Sequence, residues 1–139
     1  MALTLFSREH LARLNARADA KAIASSPGLG ERLEDLGAKS ILTADGKTVL
    51  GVMGAVPMLP NVCEVFILAS EEQMAHPITF AKCVRKELYT LKAKYRRIQA
   101  VSSCDDFHSR WLGWLGFERE GVLRAYGTNG EDMTIWGLV

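Results

Sequence analysis

A chain of 139 residues, 48% hydrophobic and 24% charged, has the composition of an ordinary globular protein and fits one domain over 1–139. Its formal net charge of +1 leaves no global basic field, so any electropositive surface must be local. No apolar run approaches the roughly 20 residues that span a bilayer, and the opening MALTLFSREHLARL has too short an apolar core for a secretion signal. The expected location is the cytosol or a particle assembled there. Cys63, Cys83 and Cys104 form no CxxC pair, so neither a disulfide framework nor a metal site is expected. Nothing in the sequence places His10, His76 or His108 beside Cys104, so that thiol is read as structural rather than nucleophilic.

Ser7 can cap a first helix whose stripe is Leu11, Leu14, Ala18 and Ala22, and SSPGLG at 25–30 breaks it. ERLEDLG, 31–37, reads as a short second helix closed by Gly37. Two β-rich runs then flank Asp45-Gly46, a dipeptide suited to a tight hairpin. NVCEVFIL, 61–68, is apolar enough for a central strand buried on both faces. Ala81, Val84, Leu88, Leu91 and Tyr95 form one apolar stripe and predict a helix over 78–95. IQAVSSC, 98–104, is a strand, and Asp105 or Asp106 caps a helix that runs to Leu115. Gly116 is placed to end that helix in the left-handed conformation, with Phe117 folding back on the last turn. EREGVLRAYG and EDMTIWGLV are two strands joined across Asn129-Gly130.

This order predicts a mixed α/β sheet with helices on both faces and a right-handed parallel crossover over 61–104. Ligands of such sheets bind beyond the carboxyl ends of parallel strands, so the loop 69–78 and residues 104–108 are expected to face each other there.

The C-terminal third, WLGFEREGVLRAYGTNGEDMTIWGLV, resembles the GNAT superfamily of N-acetyltransferases, many of which carry a helix, an LGF turn and an E–GVLR–Y strand. The likeness covers residues 40–139 and extends loosely to the first helices. It implies a single-domain GNAT-like fold and acetyl-CoA as cofactor. The family's cofactor motif is an Arg/Gln-x-x-Gly-x-Gly/Ala loop that opens a helix, where glycines and helical N–H groups cradle a pyrophosphate. The equivalent stretch here, ASEEQMAHPITFAKCV, contains no glycine. It brings Glu71 and Glu72, which repel a pyrophosphate, and Pro77 deletes one donor. What the resemblance leaves for an acyl-CoA is Leu68, Gln73, His76, Lys82 and Arg85, the N–H groups of Thr79 and Phe80, and Asp105 and His108 beyond the next strand.

Two further family positions are altered. The customary asparagine is Asp105, and the proton-donating tyrosine is Leu112. Tyr126, on the strand beyond, is the substitute candidate, and Glu64 is the candidate strand carboxylate to take a proton from an amine. The pattern H–RWL–WLGF, formed by His108, Arg110, Trp111, Leu112, Trp114, Leu115, Gly116 and Phe117, is most similar to GNAT-like proteins of tailed bacteriophages and prophages. Those often lack the glycine loop, and some are internal virion proteins, which makes other virion proteins the expected partners.

Several of these residues have a plainer reading. Lys82, Arg85, Lys86, Lys92, Lys94, Arg96 and Arg97 make 82–97 the most basic stretch, which is the solvated face of an amphipathic helix unless it meets ligand phosphates or nucleic acid. His76 is an exposed loop histidine or a general base, and His108 and Arg110 are helix-surface residues, with Arg110 paired to Asp106, or ligand contacts. Trp111 and Trp114 are core residues unless exposed, when they mark an interface. Three functions are therefore carried: a phage-type GNAT-fold binding module with weak or no catalysis, an active acetyl-CoA-dependent N-acetyltransferase, and a nucleic-acid-binding module on the basic helix. Oligomeric state is left open.

Overall fold

The computed structural model describes residues 2–139. In chain order the elements are β1 (Ala2–Leu5), α1 (Arg8–Arg13), α2 (Lys21–Ala24), α3 (Leu29–Asp35), β2 (Lys39–Leu42), β3 (Val49–Leu59), β4 (Val62–Ala69), α4 (Pro77–Lys92), β5 (Arg97–Ser103), α5 (Asp106–Trp114), β6 (Glu118–Leu123) and β7 (Met133–Leu138), with a 3-10 turn at Glu71–Ala75 between β4 and α4. The strands form one seven-stranded sheet in the order β1-β2-β3-β4-β5-β7-β6. β4 and β5 run parallel, while β1–β2, β2–β3, β5–β7 and β6–β7 are antiparallel. The mixed sheet and the parallel crossover through α4 are as the sequence predicts.

The chain divides into two compact units. The first comprises Met1–Val56 and Phe66–Glu87. Its apolar cluster gathers Phe6, Ala16, Ala20, Leu29, Leu33, Ala38, Val49, Val52 and Leu68. Successive strand residues point to opposite faces, and β2 shows where the helices lie. Ser40 Oγ is 2.8 Å from His10 Nδ1 on α1, whereas the adjacent Lys39 reaches Glu87 on α4 at 3.5 Å. α1 and α4 therefore cover opposite faces. β3 accepts α4 closely because Gly51 lacks a side chain: a Cβ there would lie 2.9 Å from the Phe80 ring. Gly54 likewise leaves room for the Phe66 ring.

The second unit comprises Pro57–Val65 and Leu88–Val139. Its buried apolar residues include Cys63, Val65, Ile98, Ala100, Leu112, Leu115, Phe117 and Trp136. The Trp136 indole N–H donates to Ser102 Oγ at 3.0 Å, which satisfies a buried polar group. Arg97 on β5 reaches past β7 to Glu120 on β6 with two hydrogen bonds of 2.8 and 2.6 Å. Gly137 on β7 makes this possible, since a Cβ there would overlap both groups.

Helices α3 and α5 end in the same way. At α5, Gly116 adopts φ +102°, its N–H bonds Gly113 O at 3.1 Å and the Phe117 N–H bonds Leu112 O at 3.0 Å. At α3, Gly37 takes φ +66° and Ala38 returns its N–H to Leu33 O. This pairing satisfies carbonyls that a helix end otherwise leaves open. Gly116→Ala places a Cβ in the left-handed region and should cost about 1–2 kcal/mol, read as a lower midpoint in urea unfolding.

Four sequence expectations need correction. The first helix does not run from Ser7 to the 25–30 break: it ends at Arg13, resumes only for Lys21–Ala24, and is preceded by the unexpected β1. Its interruption comes from backbone pairing of Asn15–Arg17 with the end of β4, described below. The Asp45-Gly46 turn is not a two-residue hairpin, because Gly46 alone takes positive φ and Thr43 N–H bonds Thr48 O across a four-residue loop. β6 stops at Leu123 and β7 starts at Met133, so Asn129-Gly130 lies inside a longer loop. Trp114 is not a core residue; it is 48% exposed, and Trp111 is half-buried.

Candidate functional site

In the first unit, β4 runs out at Ala69 and the chain turns through the 3-10 segment into α4. Leu68 is buried in the apolar cluster. Glu71 and Glu72 are exposed at the start of the turn. Gln73 is buried, and its amide donates to Met74 Sδ at 3.0 Å, a weak acceptor. His76 and Thr79 are exposed, and Pro77 begins α4. Lys82 and Arg85 are exposed on the first turns of α4, as expected for its solvated face and compatible with an anion contact. The expectation for Phe80 fails. Its N–H is already bonded to His76 O at 2.9 Å and its side chain is 2% exposed, so it is a core residue and not a phosphate donor. α4 thus has Pro77 first and its first intrahelical bond by Phe80, which leaves few N–H groups for an anion.

A feature that sequence reasoning missed covers the end of β4. Asn15, Ala16 and Arg17 lie antiparallel to Ala69, Ser70 and Glu71. The Arg17 N–H bonds Ala69 O and the Glu71 N–H bonds Asn15 O, both at 2.9 Å. The Asn15 side-chain amide donates to Glu72 Oε1 at 3.0 Å. That bond, more than any other contact, holds the Glu72 carboxyl below the usual glutamate range. A depressed carboxyl stabilises the folded form above its unfolded titration range and loses that contribution as pH falls through the folded value. The Asn15–Glu72 contact should therefore loosen only on acidification below the ordinary glutamate range, detectable as a shift of the Asn15 side-chain amide resonances in an NMR titration. Ser70 beneath this pairing is fully buried, and its side chain adds a smaller share to the lowering of the Glu72 carboxyl.

As folded, these residues do not fit an acyl-CoA. Glu71 and Glu72 stand exposed in the turn that opens α4, no glycine lies in that turn, and the Ala69 carbonyl and Glu71 N–H are already paired.

In the second unit, the parallel register of β4 and β5 consists of Val62↔Arg97, Cys63↔Ile98 and Glu64↔Gln99. Glu64 is half-buried at the last of these pairs and accepts a hydrogen bond from Gln99 Nε2 at 3.0 Å. Gln99 is fixed in turn, since Arg97 Nε donates to its Oε1 at 3.2 Å while the Arg97 guanidinium holds Glu120. A carboxylate oriented in this way can accept a proton from an amine. The sequence carried one sign of this chain in Gly137, a glycine inside a strand, which marks a close approach.

Asp105 is the N-cap of α5. Its carboxylate accepts the His108 N–H at 2.7 Å and lies 2.8 Å from His108 Nδ1. Both sequence candidates are therefore together, in a capping arrangement. Asp105→Ala should cost about 1 kcal/mol through loss of the cap, measurable by thermal unfolding. His108 and not Arg110 takes the acidic partner at this end, and Arg110 is exposed. Leu112, at the tyrosine position, is buried at 6% exposure and carries no hydroxyl. Tyr126 lies in the loop after β6, not on the strand, at 58% exposure. Cys104 Sγ is 3.0 Å from Thr134 Oγ1. Among the described residues no group of three or more His, Cys, Asp or Glu side chains is placed to hold a metal ion, and no helix is long and apolar enough to cross a membrane.

No family model and no curated protein matches the sequence. Solved structures do match. An acetyltransferase of the GNAT family from Bacillus anthracis superposes with a TM-score of 0.73 at 12% identity, over 99% of this chain and 93% of that one. The ribosomal-protein-S5-alanine acetyltransferase of Vibrio fischeri gives 0.70 at 18% identity, over 99% and 91%. An aminoglycoside 6′-acetyltransferase type Ii gives 0.66 at 17% identity, over 100% and 97%.

The chain has the GNAT fold. The likeness carries the seven-stranded mixed sheet and its helices. By their names, the last two neighbours act on acceptors as different as a ribosomal protein and an aminoglycoside, so the fold fixes no acceptor here.

Proposed function

We propose that this chain is a GNAT-fold module that acts by binding a protein partner, with weak or no acyl transfer, of the kind that tailed bacteriophages and prophages encode and carry in or on the virion. The observation that carries this reading is the occupied end of β4: Asn15–Arg17 paired with Ala69–Glu71, beside Glu71 and Glu72. Supporting it, α5 exposes Phe107 at 44% and Trp114 at 48% beside Arg110, and tryptophan and arginine are enriched at the energetic centres of protein interfaces. The phage assignment rests on the motif His108–Phe117. Calorimetric titration with acetyl-CoA and CoA tests the first part. No binding tighter than ~100 µM, about −5.5 kcal/mol, is expected. Tighter binding that Lys82→Glu or Arg85→Glu weakens would overturn it in favour of an enzyme. Purified particles from the encoding genome should hold the chain in stoichiometric amount, and its absence removes the virion placement.

A second reading is favoured by Glu64. Its carboxylate stands at the last parallel β4–β5 pair, oriented by Gln99 and through it by Arg97 and Glu120. In an N-acetyltransferase this group would take the proton of an acceptor amine. Glu64→Gln would then abolish amine acetylation while leaving the fold intact.

A further inference from the structure

The hairpin that joins β3 to β4 ends in PMLPN, residues 57–61, and all of them are exposed. The two strands are neighbours in the sheet, linked only by Pro60 and Asn61. Proline restricts φ at position 60 and Asn61 takes φ +66°, so the turn is tight and stiff. Successive strand residues point to opposite faces, so Met58 and Leu59 make the tip apolar on both of its sides. They are 50% and 67% exposed. Apolar residues that stand singly on a surface need no explanation, whereas a contiguous apolar tip rimmed by charge marks a contact surface.

The rim is cationic. The parallel register of β4 and β5 begins at Val62↔Arg97, and the Arg97 N–H bonds Asn61 O at 3.1 Å. The turn from α4 into β5, AKYRR at 93–97, therefore lies beside the hairpin tip. Lys92 Nζ donates to Arg96 O at 3.0 Å, and the Lys94 and Tyr95 N–H groups bond Leu91 O at 2.9 and 2.8 Å, which holds the turn closed. Lys94 and Arg96 are exposed on it, while Arg97 is paired with Glu120. Over 57–63 and 88–99 the sequence contains Lys92, Lys94, Arg96 and Arg97 and no Asp or Glu. A chain whose net charge is only +1 thus has a locally positive end in its second unit.

We propose that this end of the second unit docks on an anionic lipid bilayer surface. Met58 and Leu59 enter the boundary between headgroups and acyl chains, and Lys94 and Arg96 meet the headgroup phosphates. Their long side chains can follow an apolar surface while the charged ends stay at headgroup level. Charge alone would also suit a nucleic acid, but Met58 and Leu59 have no function against a phosphate backbone. Two cations and two apolar side chains make the attachment peripheral, reversible and salt-sensitive, each cation contributing about fivefold in affinity. No residue of the candidate acyl-CoA site takes part, so this surface is independent of whether the chain transfers acyl groups.

Co-sedimentation of the full chain with vesicles tests the docking. At low salt the chain should pellet with vesicles of equal parts phosphatidylglycerol and phosphatidylcholine, stay in solution with phosphatidylcholine alone, and be released as salt is raised. Lys94→Gln and Arg96→Gln should each weaken retention about fivefold. Met58→Ser combined with Leu59→Ser should weaken it about tenfold or more, through loss of apolar insertion. All four positions are exposed, so each variant should keep the parent's circular dichroism and thermal midpoint. No retention on anionic vesicles, or equal retention on neutral ones, overturns the proposal. Retention that the Lys94 and Arg96 changes abolish and the serine changes leave intact also overturns it, and the same pattern with duplex DNA would make this a nucleic-acid surface.

Discussion

Phe80→Ala is expected to destabilise the protein by about 3–5 kcal/mol, the range for removing a buried phenylalanine from a packed core. Phe80 is 2% exposed and its ring fills the space above Gly51, where even a single Cβ would approach Cε2 to 2.9 Å. The ring holds the start of α4 against β3, so its loss removes both apolar contact and the spacer that sets the helix position. Gly51→Ala should act from the other side of the same contact. The added methyl meets Phe80 and, at 3.2 Å, Leu68 O, and overpacking of this kind costs roughly 1–3 kcal/mol. Because the two residues touch, the double variant should be less destabilised than the sum of the singles. Urea unfolding of the four proteins in the cycle measures this. Additive losses would mean that ring and glycine do not share the contact.

Glu71→Gln combined with Glu72→Gln should raise CoA affinity by about tenfold or more. A unit charge about 8 Å from another contributes roughly 0.5–2 kcal/mol between water-like and surface-like dielectric response, and two carboxylates would face a dianionic pyrophosphate bound beside this turn. Both residues are exposed, so the effect should shrink as salt is raised. Glutamine keeps a carbonyl that can still accept from the Asn15 amide, so the change removes charge without removing that contact. The measurement is calorimetric titration at two ionic strengths. Unchanged affinity at low salt would mean that the pyrophosphate does not lie beside the turn at Glu71–Ala75.

The candidate site was partly legible in the sequence. Glu71, Glu72 and Pro77 are chemical facts of the chain, and their consequence for an anion needs no coordinates. The cap at Asp105 is legible because an acid stands immediately before a helical run, whereas the ring contact of His108 with it is not. The Phe80 N–H is not legible as occupied in the sequence, because only the backbone locates the first i→i−4 bond of α4. Tyr126 falls in a loop because the backbone abandons at Leu123 the strand-like alternation that VLRAYG continues.

By itself the sequence determined the order of strands and helices from β2 onward, the parallel crossover and the glycine-ended helices at Gly37 and Gly116. Each follows from interactions between residues a few positions apart: apolar periodicity, caps, and the left-handed freedom of glycine. Only the tertiary structure decided that residues 14–20 leave the helix, that Asn15 meets Glu72 across 57 positions, and that Arg97 reaches Glu120 past Gly137. Those contacts form between segments that local preference does not bring together, and at Asn15–Arg17 the backbone bonds to β4 outweigh the helical preference of the chain that makes them.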